Sequence, residues 1–145
     1  MARIVVHTHG RAREKAYSSL IQTYAERLAG RGVSLVQHSG KLSHDDYLSK
    51  LLVAVGKDEL ILLDENGKTA TTDDMVSKWQ QIRLSSRAVH FAVGPVDGFE
   101  DAAIKGANTL SLGPLTMTYE MAAVVLLEQL YRSSEIERGS PYHRE

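Results

Sequence analysis

The sequence predicts an α/β fold, a mostly parallel sheet flanked by helices, and three observations carry that reading. Short aliphatic runs alternate with amphipathic helical segments along the whole chain. The strand-like runs are apolar almost without interruption, as in Glu59-Leu60-Ile61-Leu62-Leu63-Asp64, the pattern of strands covered on both faces. The helical segments repeat their apolar residues at spacings of three and four. No repeat, low-complexity stretch or linker divides the 145 residues, so one domain is expected over 1–145.

The elements follow in order. Ile4-Val5-Val6 reads as the first strand. Residues 12–29 read as a helix with Tyr17, Leu20, Ile21, Tyr24 and Leu28 on its apolar face, ended by Gly30 and Gly32. The second strand is 33–37, and the second helix, 44–55, carries Tyr47, Leu48, Leu51 and Leu52 on one side. The third strand is 59–64, closed by the turn Glu65-Asn66-Gly67. A third helix starts near Thr72, taken as its N-cap, with Asp73 and Asp74 in the first turn where the helix dipole favours them. Met75, Val76, Trp79 and Ile82 form its apolar face. Residues 88–93 make a fourth strand, 100–107 a short helix, 109–112 a short fifth strand, and a last helix covers about 118–134.

Composition narrows the function classes. With 17 Lys and Arg against 18 Asp and Glu the net charge is -1, so bulk attraction to nucleic acid is not encoded. Arg3, Arg11, Arg13 and Lys15 form one local basic run, for which a solvated helix start is the plainer explanation. There is no cysteine, which removes disulfides and thiolate chemistry and suits a reducing compartment. No segment has the roughly 20 apolar residues of a membrane span, and the start is too poor in apolar residues for a signal peptide. A soluble, cytoplasmic protein is expected.

In a parallel sheet, ligands sit beyond the carboxyl ends of the strands. That rule picks the loops after Leu63-Asp64, after Val93 and after Leu112. Gly94 and Gly98 signal a tight turn, or a place where a ligand approaches the backbone. The stretch Leu110–Met117 is short and apolar, with Gly113-Pro114 at its centre. Leucine and methionine faces with free backbone groups are what an adenine ring needs, although a buried connecting turn would look much the same. His7 and His9 alternate on one strand face, but nothing marks a third ligand, so they read as surface histidines and no metal is expected. Asp45-Asp46 and Asp73-Asp74 are adjacent, as helix first turns are, and do not make an acid/base pair.

The last helix is apolar nearly all round. Between Tyr119 and Tyr131 only Glu120, Glu128 and Gln129 are polar. A sheet covers one side of such a helix, so the other side predicts a homodimer through this helix, or else an unusually central helix.

Together, "LILLDENGK", "HFAVGPVDGF", "TLSLGPLTM" and "LLEQLYRSSEIERGSPYHRE" resemble the RlmH-type enzymes, ribosomal RNA large-subunit methyltransferases of the SPOUT class. The resemblance covers the chain from about residue 58 to the end. It is looser before that, where "YAERL" fits but the usual glycine-lysine stretch after the first strand is missing. It implies a SPOUT-type α/β fold with a C-terminal trefoil knot, an exception to the rule that chains do not thread loops. It implies S-adenosyl-L-methionine as cofactor, bound by Leu63, Gly94, Leu112, Gly113, Pro114, Leu115, Thr116 and Met117. It implies a homodimer whose substrate is 23S rRNA in the 70S ribosome, methylated at N3 of a pseudouridine. The matching catalytic residues are Arg132, Tyr142 and Arg144, with His143 beside them.

Three positions depart from the family pattern. Tyr119 stands where histidine is usual, Ala123 where arginine is usual, and Pro95 at the second glycine of a pair. Tyr119, with an ordinary pKa near ~10, is no easy base at neutral pH. Pro95 removes a backbone N–H. The alternative these changes raise is a non-catalytic or acceptor-shifted module that keeps the donor pocket and binds RNA.

Overall fold

A computed structural model describes residues 3–144. Met1, Ala2 and the final Glu145 of the tail motif lie outside the described residues. Five strands form one sheet: β1 (Ile4–His9), β2 (Val33–His38), β3 (Glu59–Leu63), β4 (Val89–Ala92) and β5 (Asn108–Leu110). Their order is β2-β1-β4-β3-β5, and every pairing is parallel. The helices are α1 (Lys15–Ala29), α2 (His44–Val55), α3 (Thr72–Leu84), the single-turn α4 (Asp101–Ile104) and α5 (Tyr119–Glu137). Because each strand is reached by a crossover, all five carboxyl ends lie on one edge of the sheet.

Period-two alternation splits the sheet between two cores. Ile4, Val6, Ile61, Leu63, Val89 and Phe91 face one way, against α1, α3 and α5, where Leu28, Trp79, Leu126 and Leu127 are buried. Leu62 and Ala92 face the other way, against Tyr47 and Leu51 of α2.

Several details differ from the expectations. The cap of α3 is Thr71, not Thr72: Thr71 accepts from Asp74 N at 3.1 Å, and Asp74 accepts from Thr71 N at 2.9 Å. That reciprocal box needs hydroxyl and acid three residues apart, which Thr71 and Asp74 satisfy. Thr72 instead donates to Gln129 on α5 at 2.9 Å. β5 ends at Leu110, because Ser111 turns to bridge Thr69.

His7 is not a surface residue. It is 1% exposed on the α2 face, with Nδ1 2.8 Å from His38 Nε2 and Nε2 2.9 Å from His90 Nδ1. His90 Nε2 reaches Asp58 at 3.4 Å, so three imidazoles and a carboxylate form one chain of hydrogen bonds. Burial, and then the neighbouring His90 and His38, pull the His7 pKa down to about 4.

α5 is covered by its own chain more than the dimer argument assumed. It packs between α1 and α3, and Ala123, Leu126, Leu127 and Leu130 are all but inaccessible. The least covered stripe is narrow: Met121 is exposed, and Val125, Glu128 and Arg132, one turn apart along the helix, are half-buried.

Candidate active site

The three loops singled out from the sequence do converge. A cleft of about 780 Å³ opens at the carboxyl edge of the sheet, walled by the segments after β3, β4 and β5 and by the first turn of α5. Leu63, Gly94, Leu112, Gly113, Leu115, Thr116 and Met117 line it. Pro114 is absent from the lining.

Local chemistry explains how the loops hold together. Ser111, 1% exposed, sits with Oγ 2.9 Å from the carbonyls of both Glu65 and Gly113, and accepts from Gly113 N at 3.1 Å. Thr116 Oγ1 donates to Glu65 Oε2 at 2.5 Å. The loop after β5 is thereby tied to the loop after β3. Gly113 has φ +133°, a conformation that side chains rarely adopt, and open space where a Cβ would point.

Gly94 makes the tight turn that was one of the two readings of its sequence context, and it also lines the cleft. A Cβ there would lie 3.2 Å from Gly98 Cα, Phe99 N and Phe99 Cδ2. The missing side chain is what lets the 94–99 turn, closed by Gly98 N to Pro95 O at 2.7 Å, fold over itself. The cleft wall is shaped by that turn.

Sequence reasoning missed the charge of this cleft. Asp64, Glu65, Asp97 and Asp101 line it, against Lys105 alone among cations. The signal was present in the loops already chosen, but carboxylates separated by more than 30 residues converge only in three dimensions. With the apolar faces of Leu63, Leu112, Leu115 and Met117, the cleft can take a flat aromatic group and a positively charged one together.

Tyr119 forms one end of the cleft, its hydroxyl donating to Arg11 O at 3.1 Å. Ala123 is a core residue, 1% exposed, and Pro95 is a buried residue of the cleft wall.

Arg132, Tyr142 and Arg144 do not reach the cleft within one protomer. Thirteen helical residues separate Tyr119 from Arg132, a rise of about 20 Å. Near the far end of α5, Glu128 is the hub. It accepts from Arg132 Nη2 at 3.0 Å and from Tyr142 OH at 2.7 Å. The Arg132 guanidinium lies over the Tyr142 ring, 5.0 Å from its centroid, with Nη1 3.1 Å from His143 Nδ1. Tyr131 meets Tyr142 edge-on, and Arg27 and Arg31 cover Tyr131. Burial, then hydrogen bonds with Tyr24 and Glu128, push the Tyr142 phenol up, so it stays neutral and is no base. Arg144 is exposed.

A family model described as "Predicted SPOUT methyltransferase" matches residues 2–143. The chain belongs to this methyltransferase family. Among relatives, a "Ribosomal RNA large subunit methyltransferase H" from a strain of Prochlorococcus marinus is 36% identical over 138 residues, 94% of this chain and 92% of that protein. A protein of the same name from Koribacter versatilis (strain Ellin345) is 34% identical over 92% of each chain. The crystal structure of TrmJ from Z. mobilis ZM4 superposes with a TM-score of 0.55 over 92% of this chain and 70% of that one. At 8% identity, that likeness speaks for the SPOUT fold alone. The chain is thus a methyltransferase with an α/β SPOUT fold. Among the described residues, no three His, Asp or Glu are grouped to hold a metal ion, and no helix is long and apolar enough to cross a membrane.

Proposed function

We propose that this protein transfers a methyl group from S-adenosyl-L-methionine to 23S rRNA in the assembled 70S ribosome, at N3 of a pseudouridine. The observation that carries the reading is the cleft at the carboxyl edge of the sheet, which combines apolar side chains with four carboxylates. Its residues fit the donor: Leu63, Leu112, Leu115 and Met117 would cover an adenine, and backbone groups of 112–117 would be available to its edge. Asp64, Glu65, Asp97 and Asp101 set a negative field for a cationic ligand, and the volume of about 780 Å³ is in the range of cofactor pockets. When bound, S-adenosyl-L-methionine supplies a methyl on a sulfonium, transferred in line as a C–N bond forms and the C–S bond breaks.

The acceptor side is the tail. N3 gives up its proton to solvent, and arginine stabilises the anion that develops there while holding nearby phosphates. Arg144 is free to do this, Arg132 backs it, and Tyr142 is a neutral ring suited to stacking on a base. Since the tail and the cleft lie at different ends of α5 in one protomer, a homodimer would bring one copy's tail to the other's cleft. The least covered stripe of Met121, Val125, Glu128 and Arg132, which runs from cleft to tail, supports α5 as the dimer contact. The trefoil knot, a one-domain chain and a cytoplasmic setting belong to the same reading.

The test is transfer of labelled methyl from S-adenosyl-L-methionine to 70S ribosomes that lack this modification. Label in a single 23S stem-loop is expected. No label, with the donor still bound by calorimetry, would overturn the acceptor and leave the donor site standing.

A further inference from the structure

A second cleft, of about 230 Å³, lies next to the first, and Pro95, Val96 and Tyr119 line both. Its other walls are His9, Gly10, Arg11 and Arg13 from the end of β1 and the loop after it, and Gly40 and His44 from the other side. Its lining carries two arginines and two histidines and no carboxylate, and His44 stands 3.8 Å from Glu100 behind it.

The arginines are exposed and uncommitted. The ion pairs among the described residues leave out Arg11 and Arg13. The loop that carries them is nonetheless held. Tyr119 OH donates to Arg11 O at 3.1 Å. Glu120, 9% exposed, accepts from Arg13 N at 2.7 Å and from Glu14 N at 3.4 Å. Consecutive residues at the start of α5 thus fasten a basic loop beside the donor cleft. Guanidiniums carried on a held backbone and without carboxylate partners match phosphate oxygens, to which arginine offers a forked pair of donors.

We infer that this second cleft holds a backbone phosphate of the acceptor RNA beside the target base, with Arg11 and Arg13 as binding residues and Tyr119 and Glu120 as positioning residues. The inference rests on the reading that the acceptor is RNA. It gives the local basic run of the sequence a role in spite of the net charge of -1. It also gives Tyr119 a task that needs only a neutral hydroxyl.

The experiment uses the full chain with Arg11→Ala and Arg13→Ala together. One readout is KM and kcat for ribosome methylation. A second, independent of methylation, is binding of a fluorescein-labelled rRNA stem-loop across a salt series, with calorimetry of S-adenosylhomocysteine as a control. The double variant should raise KM and the RNA Kd about tenfold, and should flatten the slope of log Kd against log salt by about 1 to 2. Affinity for S-adenosylhomocysteine should hold. Tyr119→Phe should raise KM about threefold with kcat near wild type. Wild-type protein that methylates no ribosome would sink the acceptor assigned above, while RNA binding lost in the double variant would still support the cleft. RNA binding that is absent, or equal in wild type and double variant, overturns the inference.

Discussion

The Tyr142 hydroxyl donates a 2.7 Å hydrogen bond to Glu128 Oε2, the oxygen that also receives Arg132 Nη2 at 3.0 Å. One carboxylate on α5 therefore fixes both the tail and the arginine beside it. The contact divides two roles of Tyr142 that substitution can separate. Tyr142→Phe keeps the ring and removes the bond, so stability should fall by about 1 kcal/mol and methyl transfer should stay within about threefold. Tyr142→Ala also removes the ring, and transfer should fall at least about tenfold if the ring stacks on a base. Urea unfolding and labelled-methyl transfer measure the two effects. Equal transfer by the Phe and Ala variants would remove stacking from the account.

Arg144 is exposed and makes no contact with the donor cleft. With the tail serving the cleft of a second copy, as proposed, Arg144→Ala should lower transfer by more than about 100-fold, for a charge lost from the transition state. Donor affinity should stay near wild type. Unchanged turnover in this variant would sink the role assigned to the tail.

Gly94 leaves little room for a side chain, since backbone atoms of Gly98 and Phe99 stand 3.2 Å from the Cβ position. Gly94→Ala should push the 94–99 turn outward, cost about 1–3 kcal/mol of stability and weaken donor binding. Calorimetry with S-adenosylhomocysteine checks the second effect, and an unaltered affinity would show that the turn does not shape the donor site.

If tail and cleft meet across a dimer, a chain with Arg144→Ala and a chain with Gly94→Ala should complement each other when refolded or coexpressed together. The mixed dimer has one site with an intact cleft and an intact tail, so up to about half of wild-type activity per mixed dimer should return. No recovery in mixed dimers verified by mass would place both elements of a working site in the same chain.

His7 makes stability depend on pH. Its pKa is pulled down to about 4 in the fold, against 6.5 for an ordinary histidine. Between these values the unfolded chain binds a proton that the folded chain refuses, so stability rises with pH across this window and is lost on acidification. From pH 7 to pH 5 the loss should be roughly 2 kcal/mol from this residue. Urea midpoints at the two pH values test it, and an NMR titration of His7 near its ordinary pKa would count against the buried chain of imidazoles.

Much of the fold was legible because the local signals agreed with one another. Unbroken aliphatic runs such as Leu60–Leu63 fit strands covered twice, and period 3.6 marked the four long helices. The carboxyl-end rule named the loops that form the cleft, and seven of the eight residues that the family resemblance assigned to the donor line it. The resemblance of the second half of the chain supplied the chemistry that composition left open.

What the sequence by itself determined was therefore the set of elements, their parallel order and the loops that meet at one edge. Those follow from periodicity and chain direction, which are local properties. Only the tertiary structure decided the rest, because it depends on which distant residues share a face or an end. The sequence spacing of His7, His38 and His90 does not reveal that they stack in one buried chain. Asp64, Glu65, Asp97 and Asp101 become one acidic wall only when β3 and β4 lie side by side. The apolar α5 read as a surface needing a second copy, yet α1 and α3 of its own chain cover most of it. Tyr119 and Arg132 sit on the same helix, but a rise of about 1.5 Å per residue carries the tail away from the donor cleft.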